Sequence, residues 1–125
     1  MSNFPYPGKP VRGSNTGKPT MALFDLLGRR WAMGVLWQLC QGGACTFREL
    51  QARCESISPA VLNSRIKELR QGLLIERCEE GYRPTKLGLQ LAALLLPFGE
   101  FADQWATYLN EQNQEKLQES DNECD

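Results

Sequence analysis

The sequence predicts a mainly α-helical chain broken once by a small β-hairpin. Three observations carry that prediction. Apolar residues recur at helical spacing through most of the chain, as Leu62, Ile66 and Leu69 do at i, i+4 and i+7. The spacing changes character in one place, "LLIERCEEGYRPT" (73–85), where two short runs flank an acidic turn. Stop and start signals at "QGGA", Thr46, Ser58-Pro59, Gly72 and Thr85 cut the helical part into pieces.

Taken in order, residues 1–18 hold three prolines and three glycines with Lys9, Arg12, Lys18 and no acid, which reads as a flexible basic arm. Such an arm is either a solvated tail or a follower of phosphate backbone. From Thr20 to Cys40, Phe24, Leu27, Trp31, Val35 and Leu39 mark a helix that Gly28 and Gly34 divide or bend. Gly42 or Gly43 ends it with a positive φ. Thr46 and Glu49 then form a capping box, and Cys45 and Leu50 sit where a hydrophobic staple would, so a short helix is expected over 47–54. Ser58 is an N-cap and Pro59 fits the first turn of a helix reaching Gln71, where Gly72 stops it. The hairpin follows, turning at Glu80-Gly81, with Pro84 keeping its second strand brief. Thr85 caps the last helix, which is expected to reach about Gln112 with a kink or break at Pro97.

Helix, short helix, longer helix, hairpin, long helix is the winged helix-turn-helix order, in which the second helix of the pair enters a major groove and the hairpin flanks it. The expected organisation is a basic arm over 1–18, a winged helix-turn-helix domain with terminal dimerisation helices over 19–110, and an acidic disordered tail over 111–125. Charge follows the same division. The net charge is −1, but the tail holds six acids and one base, which leaves 13 bases and 9 acids, or +4, on residues 1–110. That balance permits DNA binding without proving it.

Other chemistries are poorly served. The chain has no histidine, which removes the Ser-His and Cys-His nucleophile pairs. It also lacks a glycine-rich phosphate loop and a paired-carboxylate motif, so no catalytic residue and no cofactor is assigned. The five cysteines include no C-x-x-C pair, so no metal is expected. No apolar run reaches the ~18 residues of a membrane span and the first residues have no signal core, so the expected place is the cytoplasm.

Five blocks in register, "DLLGRRW" (25–31), "TFREL" (46–50), "ISPAVLNSRIKEL" (57–69), "GLLIER" (72–77) and "TKLG" (85–88), resemble the HxlR-type winged-helix regulators of bacteria, relatives of the MarR group. The resemblance spans about residues 19–110. It implies a homodimeric, DNA-binding transcriptional regulator whose terminal helices form the dimer interface and whose 58–71 helix reads DNA. Some such proteins answer to aldehydes or oxidants. Two departures stand out. Many relatives carry Cys-Pro where this chain has Lys18-Pro19, so that thiol is not carried over. The wing is also short, with only "CEEG" between Arg77 and Tyr82, and its acidic tip suits phosphate poorly.

Base edges in a major groove call for short or forked side chains that donate and accept. On that chemistry Ser58, Ala60, Val61, Asn63, Ser64 and Arg65 are expected to face DNA, with Lys67 nearer a phosphate. Arg65 has an alternative partner in Glu68 or Glu49. Arg48, Arg53, Arg77, Arg83 and Lys86 are candidate backbone contacts. Phe24, Trp31, Phe98, Phe101, Trp105, Tyr108 and Leu109 are expected to pack the core and a dimer interface; the alternative is a pocket for a small apolar effector. Cys45, Cys54 and Cys78 lie near the reading head and are either inert small hydrophobes or a thiol switch. The expected partners are double-stranded DNA and a second copy of the chain. The rival reading keeps the fold as a protein-interaction module, or as an effector- or thiol-responsive sensor with weak DNA binding.

Overall fold

The computed structural model describes residues 4–123. In order it has α1 (Pro19–Leu27), α2 (Ala32–Gly42), α3 (Phe47–Arg53), α4 (Pro59–Gln71), β1 (Ile75–Cys78), β2 (Gly81–Pro84) and α5 (Lys86–Glu123). The chain forms two compact units that meet in sequence between Ala92 and Ala93, and α5 runs through both.

In the first unit, each helix that was expected from apolar spacing buries that spacing. Leu62, Ile66 and Leu69 of α4 meet Val35, Leu36 and Leu39 of α2 and Leu50 of α3 in one core cluster. Burying three such side chains on a 13-residue helix supplies what helix propensity alone does not. The caps are as expected. Thr46 Oγ1 accepts from the Glu49 amide at 3.2 Å and donates to the Glu49 carboxylate at 3.1 Å. Ser58 Oγ accepts from the Val61 amide at 3.2 Å, and Thr85 Oγ1 accepts from the Gly88 amide at 3.0 Å. Cys45 and Leu50 are both buried in the cluster, as a staple requires.

Several expectations need correction. Residues 4–18 are no flexible arm. Val11 and Ser14 bridge, the Gly8 amide bonds the Gly17 carbonyl at 2.9 Å, and the Arg12 amide reaches Asp25 at 3.1 Å. Pro5 is buried and Phe4 packs on the core cluster. The glycines that suggested flexibility close the loop instead: Gly17 takes φ +71 where a Cβ would strike the backbone of Lys9. The first long helix divides at Gly28, with Trp31 left-handed at φ 74 before α2, and Gly34 lies inside α2. Gly43 supplies the positive φ after α2. After α4, however, Gly72 stays at φ −78 and Leu73 takes the left-handed turn at φ 62.

The hairpin turns one residue earlier than expected, on Glu79-Glu80, since Cys78 pairs with Gly81. Gly81 is needed for a different reason. It has φ +121, and a Cβ there would strike the Cys45 carbonyl. That contact arises because Cys45 and Tyr82 exchange backbone hydrogen bonds of 3.0 and 2.9 Å, which adds a one-residue third strand outside β2.

In the second unit, α5 continues past Pro97 and past Gln112, through Glu123. Segment 111–123 is thus helical where a disordered acidic tail was expected. Its Glu, Gln, Lys and Leu are good helix formers, and neither glycine nor proline follows Gly99. Cys124 lies outside the described residues. Leu94, Phe98, Phe101, Trp105 and Tyr108, each more than half exposed, recur at alternating steps of four and three along this helix.

Candidate nucleic-acid interface

The site is built on α4. With Leu62, Ile66 and Leu69 facing the core, a turn of about 100° per residue puts Ala60, Ser64, Lys67 and Gln71 on the opposite side. Ala60, Asn63, Ser64 and Lys67 are exposed, as is Ser58 at the cap. The Ser58 hydroxyl oxygen is committed to the Val61 amide, yet its own proton is free to donate outward. Val61 was expected on this face but packs against the core cluster instead.

Arg65 is the larger correction. Its side chain is 17% exposed and its Nη1 lies 3.0 Å from Glu68 Oε2. Glu68 Oε1 meets Arg29 Nη1 at 3.0 Å, and Arg29 Nε lies 3.8 Å from Asp25. Arg65 therefore belongs to a ladder of alternating charge that ties α4 to the α1–α2 connection, and Glu68 is the alternative partner realised. Arg53, another candidate backbone contact, is also engaged. Its guanidinium donates to the carbonyls of Gly43 at 2.9 Å, Gly42 at 3.2 Å and Gln38 at 3.4 Å, so it caps the end of α2.

Arg48, on the first turn of α3, is exposed and has no partner among the described residues. At the wing, Arg83 meets Glu76 at 3.5 Å with both side chains about half exposed, a pair that holds little. Lys86 and Arg77 are exposed. At the tip, the Glu80 carboxyl is held below the usual carboxylate range by its own backbone amide, by a hydrogen bond from Cys78, and by Arg83. The wing tip thus carries firm negative charge, a poor neighbour for phosphate.

Three of the thiols are held in the protonated form. Burial pushes the pKa of Cys40, Cys45 and Cys54 up, and for Cys45 and Cys54 the nearby Arg53 only partly offsets it. Among the described residues no group of His, Cys, Asp and Glu could hold a metal ion, and no helix is long and apolar enough to cross a membrane.

Sequence reasoning missed the Arg29–Glu68 pair and the capping by Arg53. The first joins residues far apart in the chain and leaves no local trace. The second is no more local, since Arg53 lies ten residues beyond Gly43, at the far end of α3. Phe24 is 59% exposed, while Trp31 is half-buried against the core. Phe98, Phe101, Trp105, Tyr108 and Leu109 are all exposed, Leu109 least.

An open outer face on the second helix of a helix-turn-helix, beside a two-stranded wing, is the arrangement found in DNA readers. The model of the HxlR-like helix-turn-helix family matches residues 26–110. The chain belongs to that family. It is 31% identical over 108 residues to the HTH-type transcriptional regulator BH0655 of Halalkalibacterium halodurans, covering 84% of this chain and 94% of that protein. It is 32% identical over 99 residues to the HTH-type transcriptional regulator YodB of Bacillus subtilis, covering 73% and 88%. The crystal structure of quinone-bound YodB superposes with a TM-score of 0.64 at 34% identity, covering 69% of this chain and 98% of that one. This HxlR-family chain is accordingly a helix-turn-helix transcriptional regulator, and the winged-helix class expected from its sequence is the fold it has.

Proposed function

We propose that this regulator acts in the cytoplasm as a homodimer on a short, roughly palindromic DNA operator and catalyses no reaction. The observation that carries the reading is the outer face of α4. Ser58, Ala60, Asn63, Ser64 and Lys67 stand exposed on a helix whose other side is fixed in the core. Asn63 and Ser64 supply the donors and acceptors for base edges, and Lys67, Arg48, Arg83 and Lys86 the charge for phosphates. Arg65 and Val61 serve the helix from behind, one by an ion pair and one by packing.

The dimer rests on the exposed heptad-spaced residues of α5. Phe98, Phe101 and Trp105 on one helix form an apolar seam of the kind that a symmetric copy covers. Two recognition helices would then enter successive major grooves about 34–36 Å apart. YodB has been crystallised bound to a quinone, which brings a small effector into the reading here; burial makes Cys45 and Cys54 poor nucleophiles for such a compound, and among the described thiols Cys40 and Cys78 are partly exposed. The acidic wing tip favours one rival, a winged-helix module that binds protein.

Fluorescence anisotropy with the gene's own upstream fragment, excess competitor DNA and a salt series separates them. Competitor-resistant binding that Asn63→Ala weakens, with log affinity falling steeply against log salt, supports the regulator. No binding above competitor level by a folded dimer refutes it.

A further inference from the structure

Residues 4–18 precede the stretch that the family model matches, and the function proposed above gives them no part in holding DNA. Their placement and their charge point to one.

Phe4 packs on the core cluster and borders a groove that Ser64 and Lys67 of α4 also line. Its ring lies 4.7 Å from that of Tyr6, centroid to centroid, and the Lys9 ammonium stands 6.0 Å from the centre of the Tyr6 ring. A cation over an aromatic face keeps its charge while its position is narrowed. The Lys9 amide closes a turn on the Tyr6 carbonyl at 3.2 Å, and the Gly8 amide ties that turn to Gly17. Farther along, the Arg12 amide reaches Asp25, the outer member of the ladder that runs through Arg29 and Glu68 to Arg65 of α4. The loop is thus fastened at two points, and each connects to the flank of α4.

Charge is the second observation. Residues 1–48 hold six bases (Lys9, Arg12, Lys18, Arg29, Arg30, Arg48) against one acid, Asp25. That acid is already engaged by the Arg12 amide and by Arg29. Lys9, Arg12 and Lys18 are exposed, and their side chains meet no carboxylate among the described residues. The other exposed residues from Lys9 to Lys18 are Pro10, Gly13, Asn15 and Thr16. Small and mostly polar, they suit a row of anions better than an apolar partner.

We propose that residues 4–18 form a fixed hook that holds the phosphodiester backbone beside the major groove entered by α4, with Lys9 and Arg12 on phosphates. The hook rests on the DNA reading above and extends it, since such contacts set position and strength without reading sequence. Being ordered beforehand, it has little left to immobilise on binding, unlike a floating arm.

Anisotropy over a salt series tests it, on the full chain with the gene's own upstream fragment and with an unrelated duplex of equal length. Lys9→Gln and Arg12→Gln should each lower the slope of log affinity against log salt by about 0.9 per protomer bound, and weaken both duplexes by the same factor. Lys116→Gln makes the same change of charge on α5 and should alter neither slope nor affinity. Gly17→Val keeps every charge but sets a Cβ against the Lys9 backbone at φ +71, so the folded variant should bind both duplexes more weakly. Unchanged slopes in Lys9→Gln and Arg12→Gln overturn the hook, and so does an equal effect of Lys116→Gln. Parental affinity in folded Gly17→Val overturns its fixed placement and the proposal with it. If slopes hold but the two variants lose retention on immobilised poly-glutamate, the hook serves an acidic protein instead. A parent that binds no duplex sinks the DNA reading and the hook together, whereas a parent that binds with unchanged slopes in the variants sinks the hook alone.

Discussion

Glu68→Gln offers the sharpest test of how the recognition helix is held. Glu68 lies between Arg29 and Arg65, 3.0 Å from each, with all three side chains 17–19% exposed. Breaking a fully buried ion pair costs about 3–5 kcal/mol, because a charge is left uncompensated. Here each side chain is still partly exposed and a glutamine oxygen can still accept, so a loss of about 1–3 kcal/mol is expected. On a domain of this size that lowers Tm by about 5–15 °C. The same substitution frees Arg65 beside the exposed face of α4. One added phosphate contact steepens the slope of log affinity against log salt by about 0.9. Glu76→Gln makes the same change of net charge at a half-exposed pair on the wing, and should move stability by less than about 0.5 kcal/mol. Urea unfolding and anisotropy across a salt series measure both quantities. If the two variants behave alike in stability and in salt slope, the ladder does not hold Arg65 and the argument fails.

Other outcomes follow from the same geometry. Ser58→Ala should cost about 1 kcal/mol and Ser58→Gly only a few tenths, as for other N-caps, read from urea midpoints at constant m. Gly81→Val meets both a positive φ and the Cys45 carbonyl, so hydrogen exchange at the Cys45 and Tyr82 amides should quicken while the α4 amides stay protected. Trp105→Glu in the exposed seam of α5 should yield a folded monomer by sedimentation, and an unchanged dimer would remove the proposed interface. The raised pKa of Cys45 and Cys54 makes stability depend on alkaline pH. The unfolded thiols ionise near their ordinary 9.0 while the folded ones stay protonated. Their contribution is therefore full below that value and is lost as pH rises through the folded pKa. Urea titrations at pH 8 and pH 10 check the sign, and a protein more stable at pH 10 would contradict it.

The core of the domain could be read from the sequence because its information is local. Leu62, Ile66 and Leu69 declare a buried face by spacing alone, and Thr46, Ser58 and Thr85 declare helix starts by cap chemistry. The hairpin was legible as a change of period, but its turn was set one residue late because glycine is the usual turn signal. Gly81 is a glycine on account of Cys45, a residue in another element. The same holds for the site. Ala60, Asn63, Ser64 and Lys67 are exposed by helical geometry once the core face is known. Arg65 could not be placed that way, since Glu68 was visible three residues on but Arg29, which orients Glu68 from the far side, was not. The N-terminal loop was misread because proline and glycine signal irregular backbone, and irregular backbone packs well when a residue such as Phe4 has a core to reach. The acidic run after Leu109 was read as a disordered tail, but Glu and Gln are also good helix formers.

The hydrogen bonds between Cys45 and Tyr82 fix the wing next to its turn, at the end where a hairpin ordinarily swings free. A wing clamped there is a ruler more than a finger. On the DNA reading proposed above, a wing so held leans little, and misfit between α4 and the phosphates near Arg83 and Lys86 at the wing's base falls on the duplex. Operators of the proposed dimer should accordingly be selected as much for the ease with which they bend as for their bases, and inserting a base pair between the proposed half-sites should be tolerated badly.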